Sequence, residues 1–173
     1  MEIRKLDKNS YSGKKFTVSY KSNGYYDISR KDYGFQITYV PFDTVKERGF
    51  EDEMFGEWLD KPVGYGAFEG ERMLGFVEGA LENWNNRFRI SNICIFDNSV
   101  RNRGIGTALL NTILAEARKT GARMAVLETQ SCNENAIAFY NKNGFNIIGF
   151  DLYAYTNENL DKHEVRIEMG IRL

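Results

Sequence analysis

Seven residues, Arg101-Asn102-Arg103-Gly104-Ile105-Gly106-Thr107, constrain this chain more than any others. They separate two segments of different period. Arg87 to Phe96 (RFRISNICIF) alternates polar and apolar and then becomes continuously apolar, which predicts a strand passing from a sheet edge to its interior. In Gly104 to Thr120, Ile105, Leu109, Thr112, Ile113 and Ala117 recur at spacings of three and four, so this segment is an amphipathic helix, with Gly121 placed as a C′ glycine. Two glycines at a strand-to-helix turn let a ligand come close to the backbone. Free N–H groups at the helix start, aided by the helix dipole, then point at it. With Arg101 and Arg103 beside them, the turn suits a pyrophosphate. No Gly-Lys-Ser/Thr follows, as a Walker loop would need, and no third glycine completes GxGxxG. Taken alone, a tight turn with no ligand fits the same residues.

The other segments supply a context. Gly64–Glu69 and Arg72–Ala80 read as strands around Glu69-Gly70-Glu71. Arg123–Gln130 is a further buried strand. Ser131 and Glu134 form a capping-box pattern opening a short helix, which Gly144 closes. Phe145–Tyr155 and Glu164–Ile171 read as a final strand pair. Strand, helix, strand, helix, strand predicts an α/β sandwich with a mixed sheet. Before residue 62, Lys15–Tyr20 and Phe35–Val40 read as strands and Thr44–Leu59 as a helix, in spite of Gly49 and Gly56.

Composition narrows the class. The chain has 173 residues, 42% hydrophobic and 27% charged, which is globular in character. That length fits one domain, at roughly 100–200 residues each. Lys and Arg total 23 against 24 Asp and Glu, so the basic excess of a nucleic-acid binder is missing. No apolar run is long enough to span a bilayer, and the N-terminal residues lack the apolar core of a signal peptide. Cys94 and Cys132 are lone thiols and His163 is the one histidine, which leaves no zinc cage and points to the reducing cytoplasm.

Two motifs together carry a resemblance. Arg101-x-x-Gly104-x-Gly106 matches Arg/Gln-x-x-Gly-x-Gly/Ala, and Asn133, Ala136, Phe139, Tyr140, Gly144 and Phe145 match Asn-x-x-Ala-x-x-Phe-Tyr-x-x-x-Gly-Phe. At this separation, and on these expected elements, they resemble the GCN5-related N-acetyltransferase superfamily over roughly residues 62–173. Leu127-Glu128-Thr129-Gln130, Asn83-Trp84-Asn85, Asp151 and Tyr155 are similar to streptothricin acetyltransferases within it.

The resemblance implies a mixed, mostly antiparallel sheet with splayed central strands, flanked by helices on both faces. It implies one acetyltransferase domain over 1–173, with 1–61 a divergent acceptor-side part and 62–173 the acetyl-CoA-binding core. Acetyl-CoA would be the cosubstrate, without a metal. Its pyrophosphate would meet Arg101, Arg103, Gly104, Ile105, Gly106 and Thr107, and its pantetheine the strand at Ile93, Cys94 and Ile95. Asn133, Ala136, Phe139 and Tyr140 complete the implied cofactor set.

Acetyl transfer to a primary amine sets its own demands. An amine of pKa ~10.4 is mostly protonated at neutral pH, and freeing it costs about 4–5 kcal/mol. A carboxylate can take that proton, directly or through water, and an acid can serve the leaving thiolate. The resemblance makes Tyr140 that acid, with core packing beside Phe139 as the plain alternative. Asn133 could touch the cofactor or cap a helix. Related enzymes with a carboxylate on the central strand carry it near the positions of Ser91 and Asn92, neither of which can take a proton. Glu128, Glu78 and Glu82 remain as base candidates. Glu128 leads, because a charge within an apolar strand is costly unless partnered or functional; a satisfied salt bridge is its plain alternative. Trp84 and Glu78 are candidates for binding the acceptor, with core packing the alternative for Trp84 and for Tyr25 and Tyr26. Glu51-Asp52-Glu53, with Glu57 and Asp60, would attract a cationic acceptor, or form a solvated helix face.

The expected partner is thus a small-molecule amine, streptothricin with its β-lysine chain first among them, with no nucleic acid and no membrane; a homodimer is left open. A polyamine, a metabolite or a protein lysine as acceptor, and a silent acyl-CoA-binding module, are the competing readings.

Overall fold

The computed structural model describes residues 1–100 and 103–173. Along the chain run β1 (Glu2–Lys5), α1 (Lys8–Tyr11), β2 (Lys15–Lys31), β3 (Gly34–Glu53), β4 (Val63–Glu69), β5 (Arg72–Glu82), β6 (Arg87–Ile95), α2 (Ile105–Lys119), β7 (Met124–Gln130), α3 (Glu134–Lys142), β8 (Asn146–Asp151) and β9 (Arg166–Arg172). Among the described residues, seven strands form one mixed sheet in the order β1-β4-β5-β6-β7-β9-β8, and β2 pairs with β3 in a second. Pairing is antiparallel for β1–β4, β4–β5, β5–β6 and β8–β9, and parallel for β6–β7, where Arg87–Arg89 meet Met124–Val126. The fold is therefore the expected α/β type with a mostly antiparallel sheet. Two compact units divide it, residues 1–18, 50–127 and 171–173 in one, and 19–49 and 128–170 in the other.

In the first unit α2 lies against β4, β5 and β6. Its buried residues are Ile105, Leu109, Leu110, Ile113, Leu114 and Ala117, the face that the period of three and four predicts. Each buried Leu or Ile contributes about 1.5–3 kcal/mol. Gly121, at φ 73°, ends the helix as expected. A second cluster in this unit joins Leu6, Phe16, Met54, Phe55, Phe68, Phe76 and Cys94.

In the second unit α3 buries Ile137 and Tyr140, and β8 pairs with β9 from Asn146↔Gly170 to Asp151↔Arg166. The expected strand Phe145–Tyr155 stops at Asp151. Beyond it the side-chain oxygen of Asn159 accepts the N–H groups of Tyr155 and Thr156, each at 2.9 Å, and turns the backbone away.

Two local expectations are corrected. Thr44–Leu59 is not a helix, since β3 continues to Glu53 and turns follow. Val45 and Phe50 are 55% and 44% exposed, so no apolar stripe compensates the low helix propensity of Gly49 and Gly56. Pairing with β2 decides the conformation. The cap of α3 is Asn133, whose Oδ1 accepts the Ala136 N–H at 3.3 Å. Ser131 instead donates to the His163 carbonyl at 2.9 Å. Glu134 accepts from Tyr39 Oη at 2.6 Å and from Asn23 N and Nδ2 at 2.9 and 2.6 Å, so no capping box forms.

Candidate active site

The glycine turn keeps its predicted form. Gly104 is the N-cap of α2 with a left-handed backbone, φ 80° and ψ 2°, and no side chain caps the helix. A Cβ built there meets no atom of the described residues within 4 Å, which leaves room for a ligand at the backbone. Ile105 is buried and fixes the first turn in the core. Helix geometry leaves the N–H groups of Ile105, Gly106 and Thr107 without an intrahelical acceptor, and the absence of an acidic side chain in that turn preserves the positive end of the dipole. Arg103 lies beside the turn, half-exposed, with Nη2 3.1 Å from Glu69 Oε1. An anion arriving at the turn would compete with Glu69 for this guanidinium. Arg101 lies outside the described residues.

On β6, Ile93, Cys94 and Ile95 pair with Val77, Phe76 and Gly75 of β5. Cys94 is buried within the apolar cluster of the first unit, while Ile93 and Ile95 are half-buried.

The three candidate carboxylates have different surroundings. Glu82 is bound by Arg89 Nε at 2.6 Å, Arg87 Nε at 3.3 Å and Asn85 Nδ2 at 3.1 Å. Burial acts to raise its pKa, but the hydrogen bonds from Arg89 and Asn85 and the two arginine charges outweigh it and hold the carboxyl below its ordinary range. Such a group is a poor base. Glu128 is exposed on β7, with Oε2 3.6 Å from Arg166 Nη1 and Oε1 accepting from Tyr155 Oη at 3.3 Å. The reason for ranking it first, a charge enclosed in an apolar strand, does not hold. Tyr155 itself is pushed above its ordinary pKa by burial and then by the Glu128 charge.

Glu78 is the fully buried member. Its Oε2 accepts the Phe55 N–H at 2.7 Å and its Oε1 accepts from Asn92 Nδ2 at 2.9 Å. Asn92 Nδ2 also donates to Asp52 Oδ2 at 3.2 Å, so one amide bridges two carboxylates. The register explains the meeting. Glu78 pairs with Asn92 and Gly79 with Ile90, which leaves Ser91 as the extra residue of a bulge. A carboxylate missing from β6 is thereby supplied from β5, directly across from it. Phe55, buried and at φ 52°, adopts a left-handed backbone that costs an L-residue about 1–2 kcal/mol; the bond to Glu78 helps hold it.

Burial raises the Glu78 carboxyl above its ordinary 4.5, against the opposing hydrogen bonds from Asn92 and Phe55, and the Asp52 charge adds to the rise. The folded state therefore keeps a proton that the unfolded chain releases between those two values. The Glu78 contribution to stability is fullest below pH 4.5 and is lost as pH rises through the raised value. Glu78→Gln, uncharged throughout, is expected to gain Tm relative to the native chain as pH rises above 4.5. Thermal melts over that rise in pH check this; a constant difference contradicts it.

Trp84 is 82% exposed in the turn between β5 and β6, so core packing is not its role. The Arg87 guanidinium lies 6.0 Å from the ring centre. Tyr25 and Tyr26 are half-buried rather than core, and Tyr25 stacks on His163 at 3.8 Å. In the second unit Tyr140 is 7% exposed on α3, with its ring 5.5 Å from Phe139 and 6.1 Å from Phe145. Phe139, Ala136 and Asn133 are half-buried on or beside the same helix. Phe55 is the contributor that sequence reasoning missed. Asp52 was visible as part of an acidic run, but nothing local tied it to Glu78. Among the described residues, no cluster of three His, Cys, Asp or Glu is placed to hold a metal ion, and no helix is long and apolar enough to cross a membrane.

The profile of the acetyltransferase (GNAT) family matches residues 24–145. Its match begins within β2, well before residue 62. Streptothricin acetyltransferase A of Bacillus subtilis is 36% identical over 124 residues, 66% of this chain and 71% of that protein. A candidate streptothricin acetyltransferase of Bacillus anthracis, solved with acetyl coenzyme A, is 26% identical and superposes with a TM-score of 0.77 over 99% of this chain and 98% of that one. A nourseothricin acetyltransferase structure, 22% identical, shares the fold with a TM-score of 0.76 over 99% and 97%. The chain is an N-acetyltransferase and belongs to the acetyltransferase (GNAT) family.

Proposed function

We propose that this enzyme acetylates a primary amine of a streptothricin-type antibiotic, the amine of its β-lysine chain, with acetyl-CoA as donor, and so confers resistance. The observation that carries the reading is likeness over the whole chain. The Bacillus anthracis structure with acetyl coenzyme A matches 99% of it, and the 36% identity to streptothricin acetyltransferase A supports the same acceptor.

The residues fit an acyl-CoA. Open space at Gly104 and uncapped N–H groups suit a pyrophosphate, and Arg103 would exchange Glu69 for it. The backbone of Ile93–Ile95 would hold the pantetheine arm, and the family motif assigns Asn133, Ala136 and Phe139 to the same cosubstrate. When bound, acetyl-CoA supplies an activated acyl group on a thiol leaving group. Tyr140 would give a proton to that sulfur. A phenol of ordinary pKa ~10 is a weaker acid than a thiol at ~8.5, so its donation must accompany bond breaking. The carboxylates of the first unit would receive the proton of the incoming ammonium group.

The test compares kcat/KM for streptothricin, spermidine and lysine, with thiol release as the signal. Streptothricin is expected to exceed the other two by about 10²-fold or more, the discrimination available to a site built for particular polar groups. Equal values would remove the specific acceptor and keep the acetyltransferase.

A further inference from the structure

Helix α3 runs from its Asn133 cap through Tyr140, and its nine residues are too few to hold a helix without outside support. The C-terminal end is tied locally. Asn143 N–H and Nδ2 donate to the Phe139 carbonyl at 3.2 and 2.8 Å, and Phe145 N–H donates to the Tyr140 carbonyl at 3.0 Å. The N-terminal turn is tied by the β2–β3 hairpin. Ser22, fully buried on β2, donates from Oγ to the Cys132 carbonyl at 2.7 Å, in the peptide that leads into the Asn133 cap. Asn135 Nδ2 donates to the Lys21 carbonyl at 3.0 Å.

Glu134, the first residue of the helix, is gripped from both strands. Its Oε1 accepts the N–H and Nδ2 of Asn23 on β2, at 2.9 and 2.6 Å, and its Oε2 accepts Tyr39 Oη of β3 at 2.6 Å. Hydrogen bonds to an ionised acceptor are roughly twice as strong as neutral ones. Burial acts to raise the Glu134 carboxyl, but the bonds from Tyr39 and Asn23 outweigh it and hold it below its ordinary range. The grip therefore persists at neutral pH. The consequence lies further along the helix. Tyr140 is about 9 Å up the axis from Glu134, at 1.5 Å per residue, with its ring against Phe139 and Phe145. A helix this short moves as a rod, so a tilt or rotation at Glu134 carries the phenol with it. Proton donation to a departing sulfur needs hydrogen-bond reach, and a misplacement of about 1 Å can cost about 10²-fold.

We infer that Glu134 is a positioning residue for catalysis: through Asn23 and Tyr39 the hairpin fixes the direction of α3, and with it the place of the Tyr140 hydroxyl. The inference rests on the proposed role of Tyr140 as the acid and adds what holds that acid in place.

The test is a double-mutant cycle on kcat. Thiol release is followed with saturating acetyl-CoA and whichever of streptothricin, spermidine and lysine is acetylated fastest, at a temperature where melting curves show every variant folded. Glu134→Ala is expected to lower kcat about ten-fold or more in the native chain. In the Tyr140→Phe background, where no hydroxyl is left to misplace, it should lower kcat by less than about two-fold. Purely structural damage would lower kcat equally in both backgrounds, and that result overturns the inference. Glu134→Gln is expected to restore kcat to within about three-fold of wild type, since its Oε1 can keep both Asn23 bonds and its Nε2 can donate to Tyr39 Oη. A glutamine variant as slow as the alanine one also overturns it. Tyr39→Phe, which removes one hydroxyl from a residue 44% exposed, runs through the same cycle and decides the question if Glu134→Ala does not fold. A Tyr140→Phe enzyme with wild-type kcat removes the acid and the inference together. Failure of the inference alone looks different: Tyr140→Phe is slow, and Glu134→Ala adds its full cost to it.

Discussion

Tyr140→Phe is expected to lower kcat for acetyl transfer by about 10²- to 10⁴-fold, the usual worth of a placed general acid, while the acetyl-CoA Kd stays within about two-fold. The substitution is selective because of where the ring sits. Tyr140 is buried on α3 against Phe139 and Phe145, and phenylalanine keeps those ring contacts, so the loss is confined to the hydroxyl. Steady-state kinetics and calorimetry on the same preparation separate the two effects. A kcat unchanged by the substitution takes Tyr140 out of the mechanism and leaves it as packing.

The second large effect belongs to Gly104. Its φ of 80° costs an L-residue about 1–2 kcal/mol, yet a Cβ there would touch none of the described residues. Gly104→Ala should therefore fold, with a modest fall in Tm. The added methyl stands where a pyrophosphate must approach the α2 N–H groups. Losing one or two charge-assisted hydrogen bonds, at about 1.5–3 kcal/mol each, raises the acetyl-CoA Kd by about ten- to a hundred-fold or more. Gly70→Ala is the control. It has the same left-handed backbone, φ 61°, and the same open space in the turn between β4 and β5, so it should lose similar stability without weakening acetyl-CoA. Equal affinity losses in both variants would mean that backbone strain, and not the turn, controls binding.

What the sequence could reveal was local. The glycine turn, the periodic face of α2, the closing Gly121 and Gly144 and the Asn133–Phe145 motif are each written within one or two turns of chain, and backbone sterics translate them directly. The failures are non-local. Thr44–Leu59 has helix-forming residues, but a partner strand more than ten residues away determines its conformation. Glu128 looked enclosed because AVLET is apolar, whereas its own side chain faces Arg166 and Tyr155. Between Ser131 and Asn133 as the cap of α3, the choice depended on a carbonyl at His163 that takes the serine hydroxyl. The meeting of Glu78, Asn92 and Asp52 needs both the β5–β6 register and its bulge at Ser91. A one-residue slip would turn Asn92 to the other face, and no short motif encodes that.

Acetyl transfer to one amine of streptothricin, as proposed, can be tested in a single reaction. The direct measurement is to incubate the purified protein with acetyl-CoA and streptothricin, follow thiol release and locate the modification by fragment mass spectrometry. One acetyl group on the β-lysine amine, formed in step with free CoA thiol, is the predicted result. No thiol release with streptothricin, or an acetyl group elsewhere on the molecule, would contradict it.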